Sequence, residues 1–187
     1  YHPDCLKIVS EIFSELNDVN WIAGMPSLYN SEGECVKIFD LVRWSGLKIM
    51  AGDYKWIQQE GVFWRRSLWV KAGNKLNLTF KYAADFELWY RFFEQSKLYS
   101  VNTSLSGFRY HGNQLSLIWK SQYEAEVSSI LDQWSPKGWL RMRFTFIKRL
   151  YKISVILGRA DTKIGIFLSS VLKIIMEKLY KLPPVIY

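Results

Sequence analysis

The stretch from Gln58 to His111 constrains the fold most, because its apolar pattern keeps changing period. Gly61-Val62-Phe63-Trp64 is a short extended run. Arg65 to Ala72 reads as a short helix closed by Gly73 at its C-cap. Lys75 to Lys81 alternates weakly and reads as loop or strand. From Ala84 the pattern is firmly helical, with Phe86, Trp89, Tyr90 and Phe93 at i, i+3, i+4 and i+7. Short strands are expected around Leu98–Val101 and Ser104–Tyr110. Strands interleaved with helices at this spacing predict an α/β domain.

The flanks fit that expectation. Pro3 suits a first helical turn, and Leu6, Val9, Ile12, Phe13 and Leu16 form a helical stripe ending near Asn17-Asp18. Val19 to Gly24 reads as a short buried strand. Asn30-Ser31-Glu32-Gly33 reads as a turn into a second extended segment. Residues 36–52 fit helix or strand, with Gly46 and Gly52 as breaks. A polar helix is expected from about Ser121 to Gln133, then a boundary at Ser135-Pro136-Lys137-Gly138. Two more helical stretches follow, separated by Gly158–Asp161. In the second, Ile164, Phe167, Leu168, Val171, Leu172, Ile175, Met176 and Leu179 hold one apolar face.

Charge divides the chain at that boundary. Residues 1–136 hold 14 Lys and Arg against 15 Asp and Glu, whereas residues 137–187 hold 11 against 2. The predicted organisation is therefore a body, 1–136, and a basic helical tail, 137–187. The length of 187 residues suits one domain with an appendage. Cys5 and Cys35 match no metal spacing and are too few for a disulfide framework, which points to a reducing compartment. The chain starts Tyr1-His2-Pro3-Asp4, so a fragment or a processed chain is expected. Aromatic residues make up 17% of it, with nine Trp; such a surplus suits sugar or base stacking, and more ordinarily a large core.

Several residues in the central stretch have types that carry chemistry. Asp85 begins the Phe86–Phe93 helix off its aromatic stripe, where it reads either as a cap or as a general base at a rim. Glu87 and Arg91, four apart, read as a surface ion pair. Trp64-Arg65-Arg66 puts two guanidinium groups at a strand-to-helix junction, suited to phosphate or carboxylate, or else forming a solvated turn. Glu60 reads as a partner for one of those arginines or for a ligand hydroxyl. Arg109 and His111 end a strand, and a lone His is ordinarily structural. There is no Gly-rich phosphate loop, no paired-Cys zinc motif and no nucleophile elbow.

At these residues the sequence resembles the C-terminal half of family 2 glycosyltransferases, the inverting GT-A class. The resemblance runs through Ile57-Gln58-Gln59-Glu60-Gly61-Val62-Phe63-Trp64-Arg65-Arg66-Ser67-Leu68-Trp69, Ala72-Gly73, Asp85-Phe86-Glu87-Leu88-Trp89-x-Arg91, and Leu105-x-Gly107-Phe108-Arg109-x-His111 with Gln114-x-Ser116. It covers roughly residues 1–116. It implies a partial GT-A (nucleotide-diphospho-sugar transferase-like) domain with a mixed sheet, followed by C-terminal amphipathic helices. It also implies Asp85 as general base, Glu60, Trp64 and Trp89 at the acceptor, Arg65, Arg66 and Arg109 toward the donor diphosphate, and His111 toward a metal. The partners implied are a nucleotide-sugar donor and a glycan or lipid-linked acceptor, in polysaccharide or cell-envelope synthesis. A divalent metal, Mg or Mn, is expected for the complete enzyme. The family's nucleotide-binding half and acidic metal motif precede the part seen here, and no Asp-x-Asp occurs in the 187 residues. Ala84 stands where many members have a second acidic residue. The chain alone is accordingly expected to be inactive.

The tail's basic, amphipathic pattern suits peripheral contact with an anionic membrane, giving an expected cytoplasmic location with contact at the inner face. Packing of both tail helices on the body is the alternative. Two other classes stay open, a non-catalytic interaction module and a basic nucleic-acid-binding protein. Nucleic acid is not expected, because the body is slightly acidic and has no binding motif for it.

Overall fold

The computed structural model describes residues 1–52, 57–110, 114, 118–134, 139–159 and 162–187. The expected boundary at Ser135–Gly138 lies outside the described residues. The chain is mixed α/β, with seven α-helices and two mixed sheets among the described residues. It divides into two compact units. The first holds residues 1–44, 56–130 and 183–187, and the second holds 45–55 and 131–182.

The first unit opens with α1 (Cys5–Glu15). Its buried face is Cys5, Val9 and Ile12, joined in one cluster by Val19, Ile22, Val101 and Leu105. Leu6 and Leu16, expected on that stripe, are exposed. The inward face is thus turned by one residue, with the small thiol of Cys5 occupying the core end.

The first sheet has the order β4-β1-β5-β7. Its centre is β1 (Trp21–Ala23), buried at every residue, as expected of a strand covered on both faces. β4 (Val62–Trp64) pairs antiparallel to it, Trp21 opposite Trp64 and Ala23 opposite Val62. β5 (Tyr99–Val101) pairs parallel, Ile22 opposite Tyr99. The final residues return to this sheet, where β7 (Val185–Ile186) adds parallel to β5.

The second sheet has the order β3-β2-β6. The expected Asn30–Gly33 turn joins β2 (Ser27–Tyr29) to the exposed edge strand β3 (Cys35–Ile38). There Gly33 supplies the positive φ that the turn requires, 88°. β6 (Phe108–Arg109) pairs parallel to β2. Buried Gln58 reaches this sheet, its Oε1 accepting the Ser27 N–H at 2.9 Å.

Three helices complete the unit. α3 (Arg66–Lys71) follows β4 directly and ends at Gly73, φ 99°, as its sequence predicts. α4 (Ala84–Gln95) buries Phe86, Leu88, Trp89 and Phe92. Trp21 stacks on Trp89 with centroids 5.8 Å apart and meets Phe92 and Phe93 edge-on at 5.2 and 4.8 Å. Trp64 meets Trp89 and Phe92 at 5.7 and 5.6 Å. The central aromatics are therefore core, as their abundance suggested. α5 (Lys120–Gln133) buries Val127 and Ile130.

The second unit contains α2 (Gly46–Met50), α6 (Trp139–Arg159) and α7 (Lys163–Tyr180). Its core gathers Ala51, Ile147, Met176 and Tyr180, with Leu47, Leu150 and Tyr151 packed on them. α7 turns most of its apolar stripe outward. Its buried residues are Gly165, Ser169, Met176 and Tyr180, while Ile164, Phe167, Leu168, Val171 and Ile175 are exposed. A seam of small residues sets this orientation. Ser169 Oγ donates to Ser154 O at 2.9 Å, and a Cβ on Gly158 would lie 3.1 Å from that same oxygen.

Gly24, just after β1, has little room. A Cβ there would meet Leu105 Cγ at 2.8 Å and Leu105 N at 2.9 Å. Because one of these atoms is backbone, relief requires the chain itself to move. Gly24→Ala should cost about 1–3 kcal/mol, read as a lower urea midpoint at unchanged slope. An unchanged midpoint would mean that the two segments are not this close.

Candidate functional site

A cleft of about 400 Å³ opens in the first unit between the β4–α3 segment and the start of α4. Its walls include Gln59, Trp64, Trp69, Tyr82, Asp85 and Trp89. The volume lies in the range of small-molecule sites. Three of the residues singled out from sequence, Asp85, Trp64 and Trp89, meet here.

Asp85 is not the N-cap residue of α4, although its carboxylate accepts a free N–H of the first turn. The helix begins at Ala84 with Ala83 at the N-cap position, so Asp85 is the second helical residue. Its Oδ1 accepts the Phe86 N–H at 2.8 Å. Burial pushes its carboxyl above the ordinary value, against the opposing pull of the Phe86 and Asp85 N–H groups. A half-buried carboxylate on the wall of a cleft, with raised proton affinity, has the properties of a general base.

The capping is done from elsewhere in the chain. Glu126, on α5, accepts the N–H groups of Lys81, Tyr82 and Ala83 at 3.0, 2.8 and 2.8 Å. Burial pushes the Glu126 carboxyl up, but the N–H groups of Tyr82, Lys81 and Ala83 and the Lys81 charge outweigh it, and the net shift is downward. The same region of chain brings Trp119 onto Tyr82, with centroids 5.6 Å apart and planes at 26°. One wall of the cleft is thus held by contacts some forty residues away in sequence, 43 between Ala83 and Glu126. Local pattern reading had no signal for this, since Glu126 sits in an ordinary polar helix.

Arg65 is not brought to the cleft. Its Nε donates to Val19 O at 2.8 Å, and its Nη2 donates to Phe13 O and to Leu16 O, while the guanidinium lies 4.9 Å from the Phe13 ring centroid. It ties the end of α1 to the start of α3. Arg66 is exposed as the first residue of α3, and Glu60 is exposed in the short 3-10 turn Gln59–Gly61. Neither lines the cleft; Gln59, one residue earlier, does. Glu87 and Arg91 do pair, at 2.8 Å, but the pair is largely buried. Arg91 also donates to Ala72 O and Lys75 O, locking α4 to the end of α3.

Arg109 lines a separate cavity of about 320 Å³, with Tyr1, His2, Tyr29 and Gly107. There His2 Nε2 lies 3.2 Å from Tyr29 OH, 3.3 Å from Ser104 Oγ and 3.4 Å from Ser27 Oγ. His2 carried no sequence signal, because its partners lie 25 to 102 residues away. His111 lies outside the described residues. Among the described residues no three His, Cys, Asp or Glu side chains gather where they could hold a metal ion.

Trp69, Tyr82 and Gln59 also line the cleft, with Leu76, Lys81, Ala84 and Leu88, and were not named as site residues from sequence. The first two belong to the aromatic surplus, and only the fold separates lining aromatics from core ones. Trp89 is both; its Nε1 is buried with no hydrogen-bond partner among the described residues. Comparison with known protein families and with curated proteins gives no match to this chain.

Arg65→Ala should destabilise the fold by about 1.5–3 kcal/mol, from lost charge-assisted bonds to the Val19, Phe13 and Leu16 carbonyls. Arg66→Ala should change it by less than about 0.5 kcal/mol. Equal effects in urea denaturation would refute the structural role given to Arg65. For Glu126, whose carboxyl is held below its ordinary value, the stabilisation is present above the unfolded value and lost as pH falls through the folded one. Glu126→Ala should therefore cost about 1–2 kcal/mol near pH 7. The difference should shrink as the parent is acidified through the carboxylate range, whereas a constant difference would argue against the carboxylate cap.

Proposed function

We propose that this chain is the acceptor-side part of a family 2, inverting GT-A glycosyltransferase, with Asp85 as its general base. The observation that carries the reading is the Asp85 carboxyl on the wall of a cleft lined by Trp64, Trp69, Tyr82 and Trp89. Indole and phenol faces suit the apolar faces of sugar rings, and a carboxylate beside them suits a sugar hydroxyl. The sequence resemblance supplies the reaction class.

In the proposed step the acceptor hydroxyl binds against the aromatic walls and gives its proton to the Asp85 carboxylate. The oxygen left behind attacks the anomeric carbon of the donor from the face opposite the leaving group. A carbon–oxygen bond forms there, and the bond from that carbon to the diphosphate oxygen breaks. The electron pair leaves with the nucleotide diphosphate, and the anomeric configuration inverts. The raised proton affinity of Asp85 favours the first transfer. The described residues do not fit a metal, so no step is routed through one. Arg109, which lines its own cavity, is the arginine proposed for the diphosphate.

With a nucleotide-binding half supplied upstream of Tyr1, Asp85→Asn should lower transfer from a nucleotide-sugar panel by about 10²–10⁴-fold. Binding of acceptor glycans, followed by tryptophan fluorescence, should persist in that variant and fall in Trp64→Ala. Near-normal turnover in Asp85→Asn would remove the base role, and robust transfer by the 187-residue chain alone would contradict the acceptor-side reading. The same variant has a stability signature. A carboxyl whose folded value is raised favours folding at acid pH, and that contribution is lost as pH rises through the folded value. Asp85→Asn should therefore be at least as stable as the parent at pH 7, and the advantage should vanish in acid.

A further inference from the structure

We propose that the α6–α7 hairpin of the second unit is an in-plane docking face for an anionic lipid bilayer. The helices run antiparallel: Ile147, in the first half of α6, clusters with Met176 and Tyr180 at the far end of α7, and Ser154 bonds Ser169 further along. Projected at about 100° per residue, Met142, Phe146 and Ile156 fall on one arc of α6, and Ile164, Phe167 and Ile174 on one arc of α7. All six are exposed, from 57% at Phe146 to 75% at Met142. On each helix the exposed arc lies off the buried stripe through which the two helices meet.

Cations stand beside and within this apolar face. On α6, Lys148 and Lys152 lie to one side of the arc and Arg149 within it, and on α7 Lys163 lies to one side and Lys178 within it, all exposed. Residues 137–187 contain only Asp161 and Glu177 in opposition. The combination selects the occupant. A second copy would bring the same positive charge against it. A nucleic acid would satisfy the cations and leave six large apolar side chains in water. An anionic bilayer satisfies both, taking the apolar arcs into the acyl boundary and the cations at the headgroups. No helix among the described residues is long and apolar enough to cross a membrane, so the hairpin lies along the surface. The face owes nothing to the chemistry of the Asp85 cleft, and vesicle binding and sugar transfer can fail independently.

The test is flotation of the full chain with vesicles of phosphatidylcholine, with and without phosphatidylglycerol. Binding is expected to the anionic vesicles and to drop at least tenfold without the anionic lipid. The double variant Ile164→Glu/Phe167→Glu changes two exposed residues, and circular dichroism checks that its fold is kept. It should lose at least tenfold in vesicle binding at any salt concentration. Lys148→Glu/Lys152→Glu should lose binding most at low salt. Equal binding of the apolar double variant would overturn the proposal. So would sedimentation showing that the parent pairs through this face, with no vesicle binding, or retention on single-stranded nucleic acid in place of vesicles.

Discussion

The packing of Trp21 against Trp89 is the contact on which the first unit depends. Trp21 lies on the central strand and is fully buried, and Trp89 lies one turn into α4. Phe92, Phe93 and Trp64 close around the pair edge to face, the arrangement that aromatic quadrupoles favour. Once these rings interlock, the rotation of α4 about its axis is fixed. Asp85, four residues before Trp89 and so about one turn away along the helix, is carried to the cleft by that rotation. Trp64 and Trp89 contribute one surface to the core and another to the cleft. The aromatic density of the stretch is thus the core and the cleft wall together.

The charged side chains divide into those spent on the backbone and those left over. Arg65, Arg91 and Glu126 each satisfy backbone groups at helix ends, which otherwise stay unpaired. All three act across long sequence separations, and together they join α1 to α3, α3 to α4 and α4 to α5. Asp85 accepts the adjacent Phe86 N–H and bears a desolvation cost that raises its proton affinity. A carboxylate kept where it destabilises the charged form, beside a cleft, differs in kind from one that caps a helix.

The elements were largely legible in the sequence because their signals are local. α3 with its Gly73 cap, α4 with its aromatic stripe, the Asn30–Gly33 turn and the buried β1 follow from spacing, turn chemistry and composition. Asp85 could be marked because it stands off the stripe of its own helix. Arg65 was misleading for a physical reason. A guanidinium at a strand-to-helix junction looks the same in sequence whether it meets a phosphate or the carbonyls at the end of another helix. Only the tertiary fold, which puts Phe13, Leu16 and Val19 beside it, decides between them. Glu60 and Gln59 differ by one position and are both exposed in the 3-10 turn, but only Gln59 borders the cleft.

The tail exposes a bias in reading apolar periodicity. A hydrophobic stripe marks the face a helix would bury against hydrocarbon, and against a neighbouring helix small residues compete with it. In α7, Gly165 and Ser169 let α6 approach closely, and the Ser169–Ser154 hydrogen bond compensates the buried hydroxyl. The large apolar side chains are then displaced to the outside, although the helix is strongly patterned. Were the hairpin selected only for stability, Ile164 and Phe167 would be costly to leave in water, since each carries an apolar surface of the size that ordinarily drives burial. Their exposure on the same helix as Lys163 and Lys178 is the observation on which the proposed bilayer contact rests.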